Sequence, residues 1–149
     1  MRVANLEYLQ SLDSPNEWET PMGFDYRKEL SEVRTLGPTL SQICEYPLRL
    51  DDQVQDASYF AEWFALEPEP RSTPNSSAMC WNRIIGIRFS AFGRMYTISF
   101  GSDLYPVSEA TRERVIDFLA ASSYVYVPDS ILALPGGSFD WQTRFFDYL

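Results

Sequence analysis

RIIGIRFSAFGRMYTISFG, residues 83–101, alternates twice in nineteen positions. Ile85, Ile87 and Phe89 fall on one face of an extended chain, and Tyr96, Ile98 and Phe100 fall on one face of a second. A tight turn at Phe92–Gly93 pairs Phe89 with Tyr96, Ile87 with Ile98 and Ile85 with Phe100, so every apolar residue meets another. A three-residue loop with its bulge on Gly93 suits the turn chemistry better, but it slips the register by one and sets Arg88 opposite Tyr96. Face matching involves more buried area than one strained residue, so the first register is the one expected.

Outward from this hairpin the pattern changes period. SEATRERVIDFLAASS, residues 108–123, predicts a helix capped by Ser108, with Glu109 in its positive first turn. Its stripe runs through Thr111, Val115, Phe118, Leu119 and Ser122. YVYV at 124–127 reads as a short strand closed by Pro128, and DSILALP as a short helical turn. Upstream, DASYFAEWFAL at 56–66 fits either a helix or a strand covered on both faces, and its aromatic density favours the strand. DYRKELSEVRTLGP predicts a helix capped by Asp25, with Tyr26, Leu30 and Val33 inward and Gly37–Pro38 as its stop. Leu48 and Leu50 hint at a further strand, and Val3, Leu6 and Leu9 at a first helix.

The last eleven residues, FDWQTRFFDYL, separate on a helical wheel. Trp141, Phe145, Phe146, Tyr148 and Leu149 share one arc; Asp140, Thr143, Arg144 and Asp147 share the other, with Arg144 within reach of Asp140 and Asp147. Burying one large ring is worth about 1.5–3 kcal/mol, so the arc is expected to complete the chain's own core. EPEPRSTPNSS, residues 67–77, reads as an exposed connection, and neither it nor the weaker break at 14–23 leaves flanks for two cores. The expectation is one α+β domain spanning 1–149, an antiparallel sheet around the 83–101 hairpin with helices packed on one side and a C-terminal amphipathic helix.

The 149 residues carry 21 acids against 12 bases and no histidine. Residues 1–75 hold 14 acids and 6 bases, residues 76–149 hold 7 and 6, so the charge belongs to the first half. That field repels phosphate backbones and attracts basic partners, although solubility alone also accounts for it. Without histidine, Ser-His-Asp and Cys-His machinery, common zinc ligation and the easiest neutral base are all missing. Cys44 and Cys80 stand apart and are expected to be buried thiols; Glu45 would raise the pKa of Cys44. The glycines at 86 and 93 lie in a hairpin instead of opening a helix, which leaves no phosphate cradle, and the only lysine, Lys28, is a helix surface charge. No export signal and no run of about 18 apolar residues is present.

These exclusions favour recognition over catalysis. The expectation is a non-enzymatic cytoplasmic binding protein without cofactor or metal. Its acidic half would engage a basic protein partner, as an immunity-type antagonist engages a basic toxin, and not nucleic acid or membrane. The candidate contact residues are Glu17, Trp18 and Glu19, an aromatic with acidic neighbours, and the acids Asp51, Asp52 and Asp56. Trp18 also has a plain reading, as a loop residue folded back on the domain. The competing readings are a small hydrolase or ligand-binding domain using carboxylates in an aromatic cleft, and a structural subunit docked through its terminal helix.

Overall fold

The 83–101 hairpin forms the middle of the sheet. A computed structural model of the chain describes residues 1–72, 78–136 and 139–147. The elements of the first half are α1 (Leu6–Leu12), α2 (Tyr26–Cys44), β1 (Arg49–Asp51), β2 (Tyr59–Leu66) and β3 (Arg71–Ser72). Those of the second are β4 (Met79–Cys80), β5 (Arg83–Ser90), β6 (Met95–Phe100), α3 (Glu109–Ala121), β7 (Val125–Tyr126), α4 (Asp129–Leu132) and α5 (Trp141–Phe146). Five strands make one sheet in the order β1-β2-β5-β6-β7, and β3 and β4 form a separate two-stranded ladder. The fold is α+β, in one compact domain. Among the described residues no helix is long and apolar enough to cross a membrane.

The hydrophobic register holds: Ile85 faces Phe100, Ile87 faces Ile98 and Phe89 faces Tyr96. The turn does not sit where the alternation placed it. Gly93 and Arg94 take the left-handed conformation, with φ of 58° and 53°, and Met95 N–H donates to the Phe92 carbonyl at 3.1 Å. Phe92 keeps ordinary backbone and goes inward, its ring 5.3 Å from that of Phe145. The surplus residues on the β5 side turn to β2 instead, where Ser90 pairs with Tyr59 and Ala91 N–H donates to the Ser58 carbonyl. The sheet is also not wholly antiparallel. β7 returns through α3 and lies parallel to β6, and Val3, expected in the first helix, makes a parallel bridge to Tyr126.

Residues 56–66 contain a strand, as their rings implied, and Trp63 shows what that strand does for α2. The helix does not stop at Gly37–Pro38 but runs nineteen residues, to Cys44. Pro38 is exposed and lacks the N–H that would bond the Arg34 carbonyl. The buried stripe nonetheless continues through Leu36, Leu40 and Cys44. The Trp63 indole N–H donates to the Val33 carbonyl at 2.9 Å, and its six-membered ring occupies the space a side chain on Gly37 would need. Packing against a strand thirty residues away overrides the local stop signal. Glu45 ends the helix in the left-handed conformation.

Α3 is capped by Ser108, whose side chain accepts from Thr111 N–H, and it buries Val115, Ile116 and Leu119. Cys44 is buried, and burial pushes its thiol pKa up to about 11 against a smaller opposing effect of Arg114; the cause is burial and not the Glu45 expected from the sequence. Cys80, expected inside, is exposed on β4. The connection at 67–77 is only partly the solvated loop expected of it. Glu67 is buried, bonded by Arg71 at 2.9 and 3.0 Å and by the Ser102 hydroxyl at 2.5 Å, while 73–77 lie outside the described residues.

Two outcomes check this packing. Helix propensity alone gives Gly37→Ala a gain of about 1 kcal/mol, whereas overpacking against the tethered indole should cost about 1–3 kcal/mol by urea unfolding. At about pH 8, a thiol reagent should modify one cysteine of the native protein rapidly and the second only in denaturant.

Candidate functional site

The loops that carry the acidic candidates are held together by the start of α2. Asp25 caps that helix, its side chain accepting from Lys28 N–H at 3.1 Å, and Gly23 makes the preceding turn at φ of 80°. One residue into the helix, the Tyr26 hydroxyl donates to the Asp52 carbonyl at 2.8 Å. Two turns further, Arg34 reaches the Asp52 carboxylate at 2.6 Å. A Gln53 side-chain bond and that guanidinium hold the Asp52 carboxyl below its usual range. Asp51 accepts from Gln53 N–H at 3.1 Å, and Asp56 turns the chain into β2 with a left-handed φ of 52°. Glu17 braces its own loop by accepting from Met22 N–H at 3.0 Å.

Between these loops lies a cleft of about 450 Å³. Its walls include Phe24, Tyr26, Tyr59 and Phe60, and its acids are Glu19 and Asp56. Phe60 is the hub, with Phe24 edge-on at 5.3 Å and Tyr26 edge-on at 6.3 Å. No lysine or arginine lines it, and among the described residues neither Glu19 nor Asp56 makes an ion pair. Two of the six candidates thus meet at one aromatic cavity. Asp51 and Asp52 brace the loop beside it.

Trp18 is partly spent elsewhere. It is 41% exposed, its indole N–H donates to the Pro15 carbonyl at 3.1 Å, and its ring stands edge-on to Phe139 at 5.5 Å. Its other neighbour is the guanidinium of Arg144, 4.9 Å from the ring. The helical wheel put Arg144 in solvent between Asp140 and Asp147; it is 3% exposed. Asp140 instead caps α5, accepting from Thr143 N–H at 2.8 Å, a bond that lowers its pKa. Arg144 extends into the N-terminal loop, with Asp13 at 2.7 Å and the carbonyls of Ser14, Glu17 and Trp18 at 3.3, 2.6 and 3.3 Å. Phe92 and Phe145 pack against its faces at 4.8 and 4.7 Å. Trp141, Phe145 and Phe146 are buried, so α5 does complete the chain's own core; Tyr148 and Leu149 lie outside the described residues.

The charge asymmetry of the sequence is partly dissolved by folding. Asp13, Glu29, Glu32 and Glu62 of the acidic half pair with Arg144, Arg94, Arg83 and Arg88 of the neutral half. Glu62 is 2% exposed and held by two of these arginines. At the cleft itself Glu19 and Asp56 make no ion pair among the described residues, whereas Asp52 beside it is held by Arg34. Sequence reasoning found Glu19 and Asp56 by their charge and missed Phe24, Tyr26 and Phe60 as a group, because Tyr26 was assigned to the core by its spacing. A ring on each side of the Asp25 cap was the available signal.

Neither a family model, nor a curated protein, nor a solved structure matches this chain. The site must be read from its chemistry.

The Arg144 lock can be tested by unfolding. Arg144→Met should cost about 2–3 kcal/mol, less than the 3–5 of a fully enclosed pair because Asp13 can still reach water. Arg144→Lys should restore only part of that, since one ammonium cannot serve a carboxylate and three carbonyls in the guanidinium's plane. Equal stability of the lysine variant and the parent would contradict the lock.

Proposed function

We propose that this chain is a cytoplasmic binding protein, not an enzyme, that engages a basic segment of a partner protein on the face built from residues 17–26 and 51–60. The observation that carries the reading is the cleft itself: among the described residues that line it, Glu19 and Asp56 stand beside four aromatic rings with no basic residue. Four arginines of the second half are committed to other acids of the first, Asp13, Glu29, Glu32 and Glu62, and Arg34 is committed to Asp52 beside the cleft. Cys44 and Cys80 are free thiols, in keeping with a reducing compartment. An antagonist that neutralises a basic toxin is the specific form this takes, because opposed fields accelerate encounter when an antagonist must act quickly.

A synthetic peptide alternating arginine and glycine is a sufficient probe. Its association with the protein should slow steeply as salt is raised, with dissociation changing little. Replacing both Glu19→Gln and Asp56→Asn should slow association further at low salt. Stopped-flow fluorescence measures all three. Absence of binding, binding indifferent to salt, or chemical turnover of the peptide seen by mass spectrometry would each count against this function.

A further inference from the structure

Among the described residues, five arginines are held in one way, each by a carboxylate and an aromatic ring together. Arg88 has Glu62 at 2.9 Å and lies 4.2 Å from the Tyr59 ring; Arg83 shares Glu62 and lies 4.8 Å from Phe64. Arg94 has Glu32 at 2.8 Å and Tyr124 at 4.2 Å; Arg112 has Glu109 at 3.2 Å and Phe100 at 4.4 Å. Arg144 joins Asp13 at 2.7 Å to the rings of Trp18, Phe92 and Phe145. A guanidinium suits this because its plane stacks on a ring while its edge donates to a carboxylate.

The cleft has both components of that arrangement without the arginine. Phe24, Tyr26 and Phe60 form an edge-to-face corner, and Glu19 and Asp56 supply the carboxylates. Among the described residues no guanidinium lies over any of these three rings. Tyr59 also lines the cleft, and its ring is already covered by Arg88, whose charge Glu62 offsets. The space, about 450 Å³, has room for one long side chain, and no three acids gather among the described residues as a metal-chelating set.

We infer that the cleft is a receptor for a single arginine side chain of the partner, completing from outside the clamp that the chain builds five times from within. The inference rests on the partner reading above and makes it specific. Tyr26, the exposed ring of the three, takes the face of the guanidinium, Glu19 and Asp56 take its edge, and Phe24 with the buried Phe60 forms the apolar wall behind it. Specificity follows from the planar cation, since a neutral side chain of the same shape has no charge for the carboxylates and no attraction to the ring faces.

The test titrates N-acetyl-arginine amide into isotopically labelled protein, with the citrulline analogue as neutral isostere, and follows amide shifts. Arginine should perturb residues 19–26 and 54–60, and citrulline should bind about tenfold more weakly. Glu19→Gln and Asp56→Asn should each weaken arginine about two- to fivefold, with the remaining spectrum unchanged because both residues are exposed. Equal binding of citrulline would overturn the inference. If the arginine–glycine peptide binds but its shifts map away from the cleft, the arginine receptor falls and the basic-partner reading stands. If neither arginine amide nor peptide binds, both fall.

Discussion

A guanidinium pressed against a ring and tied to a carboxylate is the contact on which this architecture turns. Arg144 fastens the last helix to the first loop, and Arg94 fastens the hairpin turn to α2 and to the end of α3 through the Ser122 carbonyl. Arg88 links the sheet's central strand to β2 and to the Phe146 carbonyl of α5. Arg112 joins α3 to Phe100 in β6 and to the Tyr126 hydroxyl in β7. Hydrophobic burial supplies most of the driving force, as in any domain. These polar contacts decide which elements meet. Enclosed ion pairs add little net stability over apolar packing, because desolvation offsets the attraction, yet breaking one leaves an expensive orphan. Their value here is in specifying one arrangement of short elements.

That arrangement also determines where the protein remains negative. An acidic half folded against a neutral half hides its acids wherever arginines reach them, and the reach is set by topology. The hairpin, α5 and the N-terminal loop meet around Phe92, and the acids there are paired. Arg144 reaches the carbonyls of Glu17 and Trp18 and Arg34 holds Asp52, but at the cleft Glu19 and Asp56 make no ion pair among the described residues. Their carboxylates stay available, and the rings of Phe24, Tyr26 and Phe60 give them an apolar wall. Charge without shape would be a solubility device; charge beside an aromatic cavity is what the proposed recognition of a basic partner requires.

The parts of this structure visible in the sequence are those dictated by neighbours a few residues away or by strict alternation. The hairpin register, the β2 strand, the Ser108 and Asp25 caps and the inward rings of α5 are of this kind. What escaped depends on distant partners. Gly37–Pro38 carries every local mark of a helix end and is overruled by Trp63. Arg144 looks like a surface residue because its obvious partners are Asp140 and Asp147, and its actual partner is 131 positions away. Cys80 differs because it sits on a small ladder outside the main sheet, where hydrophobicity does not entail burial. Of the site, the acids were legible as charge; the cavity was not, since its rings come from the two sides of a helix cap and from a strand more than thirty residues on.

The most direct test of the account is a structure of the protein with N-acetyl-arginine amide at saturation. The guanidinium should lie within about 6 Å of the Tyr26 or Phe24 ring centre and within about 4 Å of a Glu19 or Asp56 carboxylate oxygen. A ligand bound outside the cleft, or one in the cleft whose guanidinium touches neither ring nor acid, would contradict the claim that the cleft is an arginine clamp awaiting its arginine.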